Sequence, residues 1–270
     1  MKARLLTAAV AIPLLLLVVL ATPKWVAAIV FGLMMALAAY EMLYRTHLVR
    51  NPRLVIWSAV MAFGTSLWSY FGAEHSVGVM LALIFAIIMF SELMHDHIKV
   101  RISMIAMCFV AGLVMPYLMS ALVRILIMKI GKFMVLVPFA IAFSNDAGAF
   151  FAGRYLGKHK LSPVISPNKT IEGMIGGLVA SMFTMVIYTL VLQIADFRVS
   201  YGLALLYGLL GGIVGVFGDL CFSVIKRQTG IKDYGNVIPG HGGILDRFDS
   251  MMTVAPLVEV LLLWIPFAEG

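Results

Sequence analysis

From Ser223 to Asp249 the chain reads SVIKRQTGIKDYGNVIPGHGGILDRFD, which sets Lys226, Arg227, Lys232, Asp233, Asp246, Arg247 and Asp249 around His241 and five glycines. Carboxylates interleaved with Lys and Arg suit a divalent cation that carries phosphates. The acids offer hard oxygen ligands to Mg²⁺, and the cations meet the remaining phosphate charge. Asp246 and Asp249 are three apart, so a helix beginning near Leu245 shows both on one side. Glycines next to His241, Gly242 and Gly243 among them, can bring backbone N–H groups close to an anion. The bland alternatives are a membrane-edge turn for the glycines and an ion-pair cluster for the charges. A plain turn accounts for glycine but not for the density of charge.

A second stretch, NDAGAFFAGRYLGKHKLSPVISPNKTIEG (145–173), contributes Arg154, Lys158, Ser166 and Lys169. Its spacing predicts Ser166 as a helix N-cap and Pro167 as a first-turn residue, with Lys169 in the first turn. Unpaired N–H groups and a positive dipole end would favour phosphate there. Each stretch goes with an acid set inside an apolar run, Asp219 for the first and Asp146 for the second. An ionisable group at membrane depth is costly, so it is a functional candidate by default, against the alternative of an interhelical polar contact. Gly208, Gly212, Gly215 and Asp219 follow at helical spacings and share one face, where small residues admit a neighbouring helix. Ser223, Lys226 and Arg227 continue that face. The Walker pattern and the dinucleotide glycine fingerprint are absent, so neither soluble nucleotide fold is implied.

The elements that must carry these residues follow from composition. Of 270 residues, 62% are hydrophobic and 12% charged, against about 45–50% and about 25% in soluble domains. The excess lies in continuous runs, and backbone in lipid must satisfy itself internally, so the runs are helices. The expected fold is all-α: a polytopic integral membrane protein of about nine spans, near 5–21, 25–43, 54–73, 77–92, 102–123, 133–152, 173–195, 202–222 and 250–267. With a cytoplasmic N-terminus only Lys24, Arg124, Lys129, Lys132 and Arg198 fall outside, and the other fifteen of the 20 Lys and Arg fall inside. That bias sets the orientation. Both charged stretches are then cytoplasmic. Lys2, Arg4 and the small residues near Ala21 also outline a signal peptide, though the run is long for an h-region of about 7–15 residues. The net charge of +7 suits anionic head groups and calls for no nucleic acid. Cys108 and Cys221 lie in apolar runs without metal spacing, and no disulfide follows from them.

Ser223 to Asp249 resembles the signature of phosphatidate cytidylyltransferases (CDP-diacylglycerol synthases): S-x-x-K-R, four residues, K-D-x-G, then I-P-x-H-G-G-x-x-D-R-x-D. The block from 146 and the GDL at 218–220 are also similar to that family, and the likeness covers the last half of the chain. Three positions depart. Ala147 stands where Ser or Thr is expected, Ile171 where Trp is common, and Phe222 where a Glu is usual, which removes one carboxylate beside the proposed metal. The resemblance implies transfer of CMP from CTP to phosphatidic acid with Mg²⁺, and leaves a second cation open. It implies Asp219, Asp246, Lys169, Lys226 and Arg247 as catalytic, and Asp219, Asp246 and Asp249 as metal ligands. Substrate contacts are then Asp146, Arg154, Lys158, Ser166, Ser223, Arg227, Lys232, Asp233, His241, Gly242 and Gly243. Helices 1–5 (1–132) would precede a catalytic part (133–270) with active-site loops at 153–172 and 223–249. A homodimer in the cell (inner) membrane with a cytoplasmic active site is implied as well.

Three other readings compete. A transporter would use Asp146 and Asp219 as an ion path, but inverted repeats and interrupted helices are not evident. A CTP-dependent lipid-alcohol kinase, or a cytidylyltransferase for another lipid phosphate, would differ in product. A catalytically dead scaffold rests only on Phe222.

Overall fold

The computed structural model describes residues 13–72, 75–237 and 242–269. They form two compact units, one of Met1–Ile127 with Gln228–Phe248, the other of Met128–Arg227 with Asp249–Gly270.

In the first unit the helices are α1 (Lys24–Arg45), α2 (Pro52–Tyr70), α3 (His75–His95) and α4 (Ile102–Ile127). Asn51 caps α2 through its side chain, which accepts from the Arg53 N–H at 3.0 Å, with Pro52 in the first turn where its missing donor costs nothing. The α1–α2 contact is close because Gly32 leaves room for Phe63 and Ser66, and the Ser66 hydroxyl donates to the Ala28 carbonyl at 2.9 Å. Besides Leu17–Ala21, two turns are wound as π-helix, Val110–Val114 in α4 and Glu41–Arg45 at the end of α1. The first precedes Pro116, whose ring cannot pack against a regular preceding turn. The second has no proline near it, and such turns recur at functional positions.

The second unit carries α5 (Gly131–Leu156), a ladder of β1 (Lys160–Ser162) with β2 (Ser166–Thr170), and α6 (Ile171–Ile194). It continues with β3 (Arg198–Val199) and α7 (Tyr201–Gln228). After the four-residue α8 (Leu245–Phe248) of the first unit, α9 (Met251–Trp264) and β4 (Ala268–Glu269) complete the second. Both ladders are antiparallel, with Ser162 opposite Ser166 in one and Val199 opposite Ala268 in the other. The shared face of Gly208, Gly212 and Gly215 meets protein as its spacing predicts. A Cβ on Gly208 would stand 2.6 Å from the Met182 Cα, and the Ser181 hydroxyl donates to the Gly208 carbonyl at 2.8 Å.

The fold is thus mostly helical, with two short ladders beside the helices. Among the described residues six helices are long and apolar enough to cross a membrane: α1, Ser76–His95 of α3, α4, α5, α6 and α7. The remaining predicted spans differ in kind. Of 5–21 only 13–21 is described, and it is helical. The span at 54–73 is α2, which is long enough but carries Ser58, Thr65, Ser66 and Ser69 in its buried face. The span at 250–267 is the shorter α9, whose apolar run ends at Trp264.

Candidate active site

In the second unit a cavity of about 220 Å³ opens among Asn145 and Asp146 of α5, Asn168, Lys169 and Thr170 of β2, and Asp219 of α7. That is smaller than the roughly 300 Å³ from which whole-ligand pockets start, and it suits a phosphate with its ligands. The Lys169 ammonium pairs with Asp219 Oδ2, and their side chains are 26% and 27% exposed. One turn along α7, the Ser223 hydroxyl reaches Asp219 Oδ1 at 3.4 Å. Lys226, a further turn on, lies 3.8 Å from Asp249 Oδ2. Arg227 turns outward and its Nε donates to the Ile165 carbonyl at 3.1 Å, which ties α7 to the β1–β2 turn. The predicted helix face therefore brings Asp219, Ser223 and Lys226 together with Lys169 and Asp249.

Asp249 is buried, and burial pushes its carboxyl up to about 7. Asp219 and, more weakly, Asp146 push in the same direction, while Lys226 opposes them. A cation among clustered carboxylates favours their charged forms. Among the described residues no three of His, Cys, Asp and Glu converge as a ready-made metal cage. The donor set nonetheless fits Mg²⁺, which keeps waters and typically takes one or two carboxylates plus substrate phosphate oxygens.

Lys169 reaches the cavity by a different route from the one its spacing predicts. Ser166 is not the N-cap of α6. That place belongs to Thr170, whose Oγ1 accepts from the Gly173 N–H at 3.1 Å. Pairing with β1 keeps Ser166–Thr170 extended, so Pro167 and Lys169 lie in a strand and the helix starts at Ile171. Arg154 and Lys158 are exposed at the end of α5 and just beyond it. The backbone N–H groups of Lys158 and His159 donate to Glu172 at 3.1 and 3.2 Å, which fastens the base of the ladder to α6.

The Gly-rich loop belongs to the first unit. Asp246 is buried, and its Oδ2 accepts from the backbone N–H groups of Tyr234 at 2.8 Å and Gly243 at 2.9 Å. Gly242 has φ +84°, a left-handed conformation that glycine adopts without strain, and a side chain there would crowd Asp246. The carboxylate thus holds Tyr234 and Gly243 together. Lys232, Asp233 and Arg247 are exposed. His241 lies outside the described residues. α8 begins at Leu245 as predicted but stops at Phe248, and the Ser250 N–H donates to Asp249 Oδ1 at 2.8 Å in the turn that follows. A continuous helical repeat therefore does not place Asp246 and Asp249 on one side.

Two buried polar residues here escape sequence reasoning. Glu41 is 1% exposed and accepts from the backbone N–H groups of Ile244 at 3.1 Å and Leu245 at 2.8 Å. Asn145 is 2% exposed, its Oδ1 is buried without a hydrogen-bond partner, and it lines the cavity. Both sit inside apolar runs, so the rule that singles out Asp146 and Asp219 also points to them.

Several known proteins are similar in sequence. The phosphatidate cytidylyltransferase of Staphylococcus haemolyticus is 49% identical over 133 residues, which are 49% of this chain and 50% of the relative. Those of Staphylococcus saprophyticus and Staphylococcus aureus (strain COL) are 48% identical over 136 residues and 47% over 133, covering 51% and 50% of the relatives. The chain spans about half the length of the curated relatives it matches. The Cytidylyltransferase family itself matches residues 2–265, so the chain belongs to that family.

Proposed function

We propose that the chain is a phosphatidate cytidylyltransferase, which transfers CMP from CTP to phosphatidic acid and releases pyrophosphate. The observation that carries this reading is the cluster of Asp219, Asp249, Lys169 and Lys226 at one end of α7. Two acids and two cations at the end of a membrane helix suit a lipid phosphate arriving through the bilayer and a nucleotide arriving from water.

In the reaction a phosphate oxygen of phosphatidic acid attacks the α-phosphorus of CTP, and the bond to the β-phosphate oxygen breaks as pyrophosphate leaves. The substrate brings its own nucleophile, so the protein's task is positioning and charge neutralisation. By the family resemblance, Asp219 and Asp246 would be the principal ligands for Mg²⁺, with Asp249 in support. When bound, Mg²⁺ supplies positive charge to phosphate oxygens in the transition state. Lys169, Lys226, Arg227, Lys232 and Arg247 meet the substrate phosphates and the leaving pyrophosphate. On binding, phosphate oxygens would compete with Asp219 for the Lys169 ammonium.

The basic-residue bias supports nine spans, a cytoplasmic N-terminus and an active site facing the cytoplasm, in the inner membrane. The family resemblance supports a homodimer. The test is purified protein in detergent with Mg²⁺ and CTP, offered phosphatidic acid or diacylglycerol. CDP-lipid and pyrophosphate in equal amounts from phosphatidic acid support the reading. Phosphorylated lipid from diacylglycerol would replace it with a lipid-alcohol kinase.

A further inference from the structure

Glu41 lies about 200 positions before the Gly-rich loop in the sequence and faces it directly in the first unit. Each of its carboxyl oxygens takes one backbone N–H: Oε1 that of Ile244 at 3.1 Å, Oε2 that of Leu245 at 2.8 Å. The approach is closed on the loop side as well. A Cβ on Gly235 or on Gly243 would collide with the Glu41 carboxyl group, so both glycines are needed for the contact. Glu41 opens the π-wound turn of α1, Glu41–Arg45, and is 1% exposed. A buried carboxyl group is costly unless its hydrogen bonds are made, and here two successive backbone N–H groups make them. The same peptide segment leads straight into Asp246 and Arg247, and Asp246 fixes the other side of the loop through Tyr234 and Gly243.

We propose that Glu41 is a positioning residue, which holds the backbone of Gly243 to Leu245 so that Asp246 and Arg247 are presented to metal and phosphate. It acts through the loop and touches no reacting atom. Its position in the fold stands on the first unit's geometry, whereas its effect on turnover rests on the cytidylyltransferase reading. Glu41→Gln keeps the volume but faces one of the two N–H groups with an amide donor in place of an oxygen. Gly235→Ala attacks the same contact from the loop.

Hydrogen–deuterium exchange of the purified full chain in detergent tests the contact, and a Mg²⁺ titration of CDP-lipid synthesis tests its consequence. In the wild type the amides of Ile244 and Leu245 should exchange slowly. Glu41→Gln should speed their exchange by about tenfold or more and leave peptides of α2 unchanged. The Mg²⁺ concentration for half-maximal rate should rise about tenfold, a change that mere loss of folded protein would not produce. The double variant with Gly235→Ala should be no worse than the worse single, since both disturb one contact. Fast exchange of those two amides in the wild type would overturn the proposal without any variant, even if the variants fail to fold. An unchanged Mg²⁺ dependence in a folded Glu41→Gln would overturn it too. A wild type that makes no CDP-lipid would sink the cytidylyltransferase reading, while the exchange pattern would still decide the Glu41 contact.

Discussion

Replacing Lys169 by Met removes the ammonium that faces Asp219 and keeps most of the side chain's length. The two side chains are 26% and 27% exposed, so the pair lies between two regimes. A surface pair is worth up to about 1 kcal/mol, and breaking a fully buried one costs about 3–5 kcal/mol. The expected loss for Lys169→Met is about 1–3 kcal/mol. At about 2–4 °C per kcal/mol for a chain of this size, thermal unfolding in detergent should fall by about 2–12 °C. Asp219→Asn should cost a similar amount, because it leaves the lysine without its acid. The double variant has no charge left to strand, and it should recover at least half of the stability lost by either single. Activity should behave differently. Each single should lower kcat by about 10²–10³, the scale of losing a group that stabilises transition-state charge. The double should be no more active than the worse single, because phosphate and metal need both groups whether or not they pair. Recovery of both stability and activity in the double variant would refute the reasoning, and would make Lys169–Asp219 a structural ion pair only.

Asp249 gives a pH prediction. Its carboxyl is raised to about 7 by burial and by Asp219, from an ordinary value of 3.8. The unfolded chain therefore releases this proton at lower pH than the folded one, and stability falls as pH rises through that window. Asp249→Asn in metal-free buffer should flatten the decline and unfold at higher temperature at pH 8 while losing turnover; an unchanged profile counts against the assignment. Arg247→Lys should not support wild-type turnover, because Lys offers a point charge where Arg offers a planar fork; full activity would mean that Arg247 serves only a neighbouring acid. For the orientation, a cysteine replacing Asn236 should react with impermeant reagent only after the cytoplasmic side is opened. One replacing Glu269 should react from outside, and the reverse pattern would contradict the nine-span arrangement.

What depended on local pattern was legible in the sequence. Continuous apolar runs marked the helices, and the four-three-four spacing of Gly208, Gly212, Gly215 and Asp219 marked the face that packs on protein. Ser223 and Lys226 fell where that helical phase puts them. Local pattern misled at Ser166, where Ser-Pro is a fair helix start by itself, but pairing with Lys160–Ser162 holds it in a strand and passes the cap to Thr170. The phase from Asp246 to Asp249 failed for a similar reason, since α8 ends after four residues. Glu41 was not placed because its partners lie more than 200 positions away, a distance that no periodicity spans. Its setting in an apolar run was the one signal present, and that signal alone says that a partner exists without saying which.

A cytidylyltransferase acting on phosphatidic acid passes the α-phosphate of CTP, and not the γ-phosphate, to a lipid phosphate. Purified protein in detergent should be given phosphatidic acid, Mg²⁺ and CTP that carries one phosphorus isotope at the α position and another at the γ position. The expected result is α label in the lipid and γ label in pyrophosphate, in equal amounts, with both transfers lost in Asp219→Asn. Gamma label in the lipid, or neither label leaving CTP while the protein is folded, would contradict it.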